Sequence, residues 1–449
     1  MLEVRVVHGG VAIVGAGLGG LCAAALAADA GLEPTLFDTA QSPGGVARTV
    51  VEDGLRLEPG ASTLLVQEPA LADVVRWSGA ATSELTATDR WVFLAGRGLR
   101  RLAPGPGLLL RPPGSRLGEV RALITAFRAT PPSSDVSLED YCRSHFGAEY
   151  GRLIAWLVAS GVYAGDPSEL SARACLGPVL ALESAQGGLW GAAKAFRQRS
   201  RAQPSRAPRS VVAVGGMADL ADRIVAQLGD SWRPQSTVVR VDPPHESSAG
   251  RLTVKTGGGQ PRRTPSRSVI WAAGQSSQPF STPPPQPPGQ PADVAVVFLA
   301  GQRSSWVPPH GMGVLVGPDV PFQTRGILFE SEYTPPGARC SASQWLLKVI
   351  FGGKGRESID GLTDDQIAQR CLVEIRAVLD APVSPDAIYV LRRRIPQYVL
   401  GIPEWRQTLT QWSAASDVHL TGWESSGVGV RDLARNAAAI VADISSRSG

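Results

Sequence analysis

The chain has 449 residues, 43% of them apolar and 19% charged, which suits buried cores in two or three domains and excludes a disordered chain. Its formal net charge is only +4, and no Lys/Arg run is dense enough to form a stripe, which excludes a strong nucleic-acid binder. Of 44 basic side chains only four are lysine (Lys194, Lys255, Lys348, Lys354), so 40 are arginine. Coding bias accounts for most of that skew; planar recognition of carboxylate or phosphate is the functional alternative.

The first predicted element is a buried strand at Val11–Val14, β-branched and short. Gly15, Gly17 and Gly20 follow at once as G-x-G-x-x-G, then an Ala-rich helix over Leu21–Ala30, then a second strand, Pro34–Phe37, ending at Asp38. Each part has a mechanical reason. Gly15 permits the tight turn, Gly17 lets backbone approach a diphosphate, and Gly20 lets helix and strand pack closely. The helix N-terminus offers free N–H groups to phosphate, and Asp38 is placed for a ribose diol. The double glycine Gly44-Gly45 and Arg48 come next, a pattern that points to a flavin rather than a nicotinamide dinucleotide, with Arg48 reaching the diphosphate. An ordinary surface arginine is the alternative for Arg48.

Further along, Ala103–Gly114 is expected to be an irregular connector, and residues 117–130 and 138–200 mostly helical, with a cap near Ser137 to Asp140. Arg197–Arg209 is expected to be a polar linker. A helix is predicted over Met217–Leu228, and strands over Val238–Val241, Leu252–Lys255 and Ser268–Gly274, the last ending in small residues. Ser281–Asp293 is proline-rich and expected as a polyproline surface loop. Strands of a mixed sheet are predicted at 293–300, 313–317, 326–332 and 345–352, and a last helix over about Val430–Ile444.

Cofactor-like elements therefore stand at the start, middle and end of the chain. The expected fold class is α/β: a Rossmann-like FAD-binding domain assembled from segments 1–80, 205–280 and 405–449. A mixed-sheet plus helical substrate-binding domain, 81–204 and 281–404, is interleaved with it. Cys22, Cys142, Cys175, Cys340 and Cys371 form no C-x-x-C pair, and the five histidines show no metal-ligand spacing, so neither disulfides nor a metal are expected. The uncharged run Leu153–Gly165 is shorter than the roughly 20 residues a bilayer span needs. A cytoplasmic location is expected; peripheral membrane contact and a homodimer are left open.

The motifs resemble those of FAD-dependent protoporphyrinogen oxidases, within the wider group of flavin amine oxidases and phytoene desaturases. The markers are the N-terminal site, Gly161 to Ser171 (GVYAGDPSELS), Leu182-Glu183 with Gly187 to Ala192, Val214 to Met217, Ile395-Pro396-Gln397-Tyr398, and Gly427 to Asp432. The resemblance implies FAD as cofactor, with the Val238-Val239 pair against the adenine. It implies that the loop from Gly422 through Val428 to Val430 runs beside the isoalloxazine. Arg90 would hold a propionate of an anionic tetrapyrrole. Hydride would pass from protoporphyrinogen IX or coproporphyrinogen III to flavin N5, and electrons on to O2, giving H2O2.

Three departures touch the substrate rather than the cofactor. Trp423-Glu424 follows Gly422 where the family has Gly-Asn, Glu58 to Ser62 replaces a Gly-Pro-Asn-like element, and Ile402 stands where a His is frequent. They leave an oxidase or desaturase of a specialised metabolite as an alternative. A flavin amine oxidase is a weaker one, because Asp293–Phe298 carries no lysine. Trp423 and His310 join Arg90 as candidate catalytic residues, His310 as a proton relay. Trp271, Trp306 and Met312 are candidates for the cavity wall, with plain core packing as the commoner role of such residues.

Overall fold

A computed structural model describes residues 10–102, 124–126, 129–202, 210–242, 252–274 and 279–447. The expected connector 103–114, most of the expected helix 117–130 and positions 203–209 of the expected linker lie outside them.

Val11 to Val14 alternate strictly between two cores, which makes their strand the hinge of the cofactor half. The sheet around it is parallel throughout, in the order β10 (Trp232–Arg233), β2 (Pro34–Phe37), β1 (Val11–Val14), β14 (Ser268–Trp271), β20 (His419–Leu420). Distant parts of the chain thus meet in one sheet. Val11, Ile13, Leu36 and Ile270 pack against helices α1 (Leu18–Asp29), α2 (Pro69–Ser78), α6 (Gly216–Leu228) and α9 (Val430–Ser446). Ala12, Val14, Phe37 and Trp271 pack the other way, onto Val238, Val241, Leu252 and Val254. Those four belong to an antiparallel sheet of β11 (Ser236–Val241), β12 (Leu252–Thr256) and β13 (Arg262–Thr264). Helix α1 is buried along its whole length from Gly19 to Ala27, and its alanines let α2 and α9 come close. A fully buried leucine such as Leu21 stabilises this core by about 1.5–3 kcal/mol relative to exposure.

Two small sheets join the halves: β5 (Leu64–Leu65), β9 (Ser210–Ala213) and β6 (Thr82–Glu84) form one, and β3 (Val50–Glu52) with β4 (Leu55–Leu57) the other. The second half is built on seven strands in the order β19 (Ala387–Ile395), β15 (Ala292–Gln302), β18 (Gln344–Gly352), β17 (Thr324–Leu328), β16 (Gly313–Val316), β7 (Arg90–Leu94), β8 (Gly98–Leu102). One face carries Val297, Leu347 and Val349 against helix α7 (Asp364–Leu379), which opens on a capping box of Thr363 and Gln366. The opposite face carries Val296, Phe298 and Leu346 against Leu55 and Leu57 of the cofactor half. Helices α3 (Leu138–Val158), α4 (Ala172–Gln186) and α5 (Leu189–Ala202) form a cap, and α8 (Ile402–Ser416) leads back to β20. Ser137 caps α3 by accepting from the Asp140 N–H at 3.0 Å, as the sequence suggests.

Several local expectations are corrected. The glycine motif starts its helix three residues early, at Leu18, because Gly19 and Gly20 fit the first turn. The strand expected over 326–332 stops at Leu328, and Glu330–Tyr333 is a helical turn that buries Glu330 and Tyr333 on one side. Helix α5 runs to Ala202, into the expected linker. Among the described residues, no helix is long and apolar enough to cross a membrane. All five cysteines are free.

Candidate functional site

At the end of β1 the chain is too crowded for side chains. A Cβ on Gly20 would sit 1.8 Å from the Gly15 carbonyl oxygen, and one on Gly15 2.8 Å from Ala272 backbone. Gly17 is different: extended at φ −69°, ψ 176°, it has no atom within 4 Å of where a Cβ would stand. It caps α1 with no side-chain bond and no acid in the first turn, so the orphan N–H groups and positive end of the helix stay open. Gly44 (φ +107°) folds a loop back so that its N–H donates to the Ala16 carbonyl (2.8 Å), and a Cβ on Gly45 would lie 3.2 Å from Gly17 Cα.

Asp38 ends β2 as expected, with Oδ2 accepting from the Ala16 N–H (2.5 Å) and Oδ1 from the Ala40 N–H (2.7 Å). Arg48 is engaged elsewhere: it donates to Asp222 (2.9 and 3.3 Å) and to the Pro43 carbonyl (3.0 Å). Val238 is buried in the core beside Phe37 while Val239 is 42% exposed, so only the latter is open to a ligand.

The C-terminal loop meets the glycine turn from the other side. A Cβ on Gly19 would lie 3.4 Å from Thr421 Oγ1, a buried hydroxyl with no partner among the described residues, and 3.6 Å from the Gly422 nitrogen. Gly422 (φ +139°) starts that loop, Val428 packs on the helical cap, and Val430 opens α9 with no side-chain cap before it. An open helix N-terminus, a bare Gly17, an orphaned Thr421 hydroxyl and a second uncapped helix fit a flavin dinucleotide.

Strand register defines the rest of the site, because residues paired across a sheet present side chains on one face. One row reads Tyr389, Phe298, Lys348, Leu328, Gly313, Arg90. The next reads Leu391, Val296, Ile350, Gly326, Leu315, Val92. Both face the cofactor half; Gly313 and Gly326 are buried glycines in close packing, since a Cβ on Gly313 would lie 2.2 Å from the Ile327 carbonyl oxygen and one on Gly326 3.2 Å from Leu315. Arg90 ends its row, donating Nε to Met312 Sδ (3.2 Å) and meeting no carboxylate within 4.0 Å among the described residues. Of the proposed wall residues, Met312 therefore reaches Arg90, whereas Trp306 stacks edge-on against Trp345 on the far face and Trp271 is core of the cofactor half. His310 is an exposed loop residue three positions before Gly313.

The cap closes over this face through a π-helical turn, Ala159–Tyr163, a distortion common at functional sites. Gly161 looks onto Leu315, its Cβ position 3.8 Å from that side chain. The carbonyls that follow are all held. Gln397 Nε2 donates to Tyr163 (2.8 Å), the Lys354 N–H to Ala164 (2.9 Å), and Arg325 Nη1 to Gly165 (3.1 Å). Arg325 is wholly buried, and burial pushes its pKa down to about 9, next to Arg356. Rings continue from Tyr163 to Tyr398 (5.4 Å between centroids) and to Trp423 (6.3 Å, stacked), whose carbonyl accepts from Tyr398 Oη (2.7 Å) and Arg406 Nη2 (3.2 Å).

Between the two halves lies a buried charge cluster that sequence reasoning missed. Arg339 stands 3.8 Å from Glu58 and 3.5 Å from Glu330, all three at most 1% exposed. Lys348 Nζ donates to the Gly60 carbonyl (2.7 Å) and Ser62 Oγ (3.0 Å), and Ser62 donates to Glu330 (2.7 Å). Thr49 Oγ1 and the Met217 N–H donate to Glu58 (3.0 and 3.2 Å). Burial raises the Glu58 carboxyl to about 7 against the pull of Arg339, and lowers the Lys348 ammonium. The scarcity of lysine was the available signal, since an apolar strand such as Gln344–Gly352 does not carry one for solubility.

The profile of the family described as flavin containing amine oxidoreductase matches residues 18–408. Among similar proteins, a chloroplastic protoporphyrinogen oxidase of Oryza sativa subsp. japonica is 27% identical over 92% of this chain and 80% of its own. The coproporphyrinogen III oxidase of Bacillus subtilis is 26% identical over 96% of this chain and 97% of its own. A crystal structure of an Exiguobacterium protein provisionally named a protoporphyrinogen oxidase superposes with a TM-score of 0.78 at 20% identity, covering 97% of this chain and 98% of that one. That last likeness establishes the fold.

Proposed function

The chain belongs to the flavin-containing amine oxidoreductases and is an FAD-dependent oxidoreductase, and on that premise we propose that it oxidises a porphyrinogen, protoporphyrinogen IX or coproporphyrinogen III, to the porphyrin. The observation that carries this reading is Arg90, exposed at the end of a sheet row that faces the cofactor half and with no carboxylate within 4.0 Å among the described residues.

Bound FAD supplies the redox chemistry, taking hydride from a bridging carbon of the ring and passing electrons to O2. The residues that would hold it are Gly15, Gly17, Gly20, Asp38, Gly44, Gly45, Val239, Gly422, Val428 and Val430. The chain itself orients the substrate and keeps water out. Arg90 offers a planar fork to a propionate, which fixes the rotation of the ring. The π-turn, locked by Gln397, Lys354 and Arg325, roofs the face, and Trp423 walls the cofactor side. No protein base is assigned to the pyrrole proton, and His310 is too exposed to be the first choice for it.

Trp423 and Glu424 favour one second reading, oxidation of a specialised C–H substrate shaped to a narrower cavity. Arg90→Ala separates the two. A propionate-bearing substrate should show a KM raised about tenfold or more with kcat little changed, the loss of one charge-assisted pair. An unchanged KM would remove Arg90 from substrate binding.

A further inference from the structure

Of the four lysines only Lys348 is buried; Lys194 and Lys255 are exposed and Lys354 is half-buried. An ammonium withdrawn from water needs its bonds met. Burial lowers its pKa, while Glu330 and Glu58 favour the charged form, yet neither bond it makes is to a carboxylate. Both bonds cross from β18 of the large sheet to a single turn of the cofactor half, at the Gly60 carbonyl (2.7 Å) and Ser62 Oγ (3.0 Å).

That turn touches the cofactor cradle. A Cβ on Gly60 would lie 2.8 Å from Ala47 Cα, so the turn rests directly on the backbone of the loop that carries Gly44 and Gly45. Gly45 in turn lies against Gly17, whose Cα is 3.2 Å from where its Cβ would stand. Contacts therefore run unbroken from Lys348 through Gly60, Ala47 and Gly45 to Gly17 at the N-terminus of α1. After the lysine every step is backbone against backbone, which transmits a shift because no side chain is there to yield.

We propose that Lys348 is a positioning residue for the cofactor: from the large sheet it holds the Pro59–Ser62 turn, and through it the Gly44–Ala47 loop, in place against the glycine turn. It is sealed from solvent at 4% exposure and acts through the turn rather than on a ligand. A lysine suits the task because one charge on a flexible stem can serve two acceptors on different residues.

The test compares wild type, Lys348→Met, Ser62→Ala and the double variant Lys348→Met/Glu330→Gln. Each apoprotein is followed by thermal unfolding and by titration with FAD, and each holoenzyme by steady-state turnover. Methionine keeps the bulk and drops both bonds, so Lys348→Met should raise the Kd for FAD about tenfold. Adding Glu330→Gln should restore much of the lost stability, because one stranded charge is gone, and none of the FAD affinity. Ser62→Ala removes one of the two bonds and should raise the Kd about threefold; it carries the comparison if Lys348→Met does not fold.

The turnover arm rests on the porphyrinogen reading. There kcat should fall about tenfold or more with KM changed less than about twofold, the reverse of Arg90→Ala. If no porphyrinogen reduces the wild-type flavin, that reading fails, and the FAD titrations still decide the role of Lys348. A lowered melting temperature with an FAD Kd within about twofold of wild type would make the lysine a stabiliser alone and overturn the proposal. So would recovery of FAD affinity in the double variant, or a raised KM with kcat unchanged.

Discussion

Gly17→Ala should yield a folded protein that purifies without flavin colour, whereas Gly20→Ala should yield little folded protein at all. The contrast follows from what each new methyl meets. At Gly20 it would overlap the Gly15 carbonyl oxygen at 1.8 Å and approach its carbon at 3.0 Å, and both are backbone atoms that cannot swing away. Relief requires α1 to lift off β1, which opens the core around Leu21, Ala24 and Ile13. Overpacking of this kind costs about 1–3 kcal/mol where side chains can yield, and more where they cannot. At Gly17 the methyl meets nothing within 4 Å and the backbone is already extended, so the fold has no reason to suffer. The space it fills is the approach to the α1 N-terminus that a diphosphate needs. Thermal unfolding of the flavin-free proteins, with the flavin absorbance of each as purified, measures both effects. A Gly17→Ala protein with a full complement of FAD would move the cradle elsewhere.

The second large effect is expected at Arg339. Replacing it with methionine leaves Glu58 and Glu330 buried with Lys348 as the one remaining cation of the cluster, and breaking such a pair costs about 3–5 kcal/mol. Chemical denaturation should show that loss, and a second change, Glu58→Gln, should recover part of it by removing one stranded charge. The pH dependence has a definite sign. The folded Glu58 pKa, about 7, lies above its ordinary value near 4.5, so folding takes up a proton. Its contribution is complete below about 4.5 and is lost as the pH rises through 7. The deficit of Arg339→Met should therefore grow from pH 5 to pH 8 and shrink in the double variant. A deficit that ignores pH would mean the cluster stays neutral by another route.

The cofactor half was legible because its signals are local. Strand, glycine turn, helix and Asp38 stand within one short stretch, and the Val11–Val14 alternation matches the two cores they enter. The large sheet was less so. Strand β19 carries Arg392, Arg393 and Arg394 in succession, which hides its alternation behind the charges an edge strand tolerates. Arg48 illustrates a different limit: its chemistry suits a phosphate, but nothing in the sequence places Asp222 beside it. The Glu58, Glu330, Arg339 and Lys348 cluster draws on three separated segments, and no spacing rule brings them together. Arg90 could be singled out as a residue, yet its place at the end of the row through Gly313, Leu328 and Lys348 appears only in the strand register.

The most direct measurement is anaerobic reduction of the bound flavin, followed by its visible absorbance, with protoporphyrinogen IX, coproporphyrinogen III and a panel of amines offered in turn. Bleaching by at least one porphyrinogen and by no amine is the predicted result. Bleaching by an amine while both porphyrinogens leave the flavin oxidised would contradict the assignment.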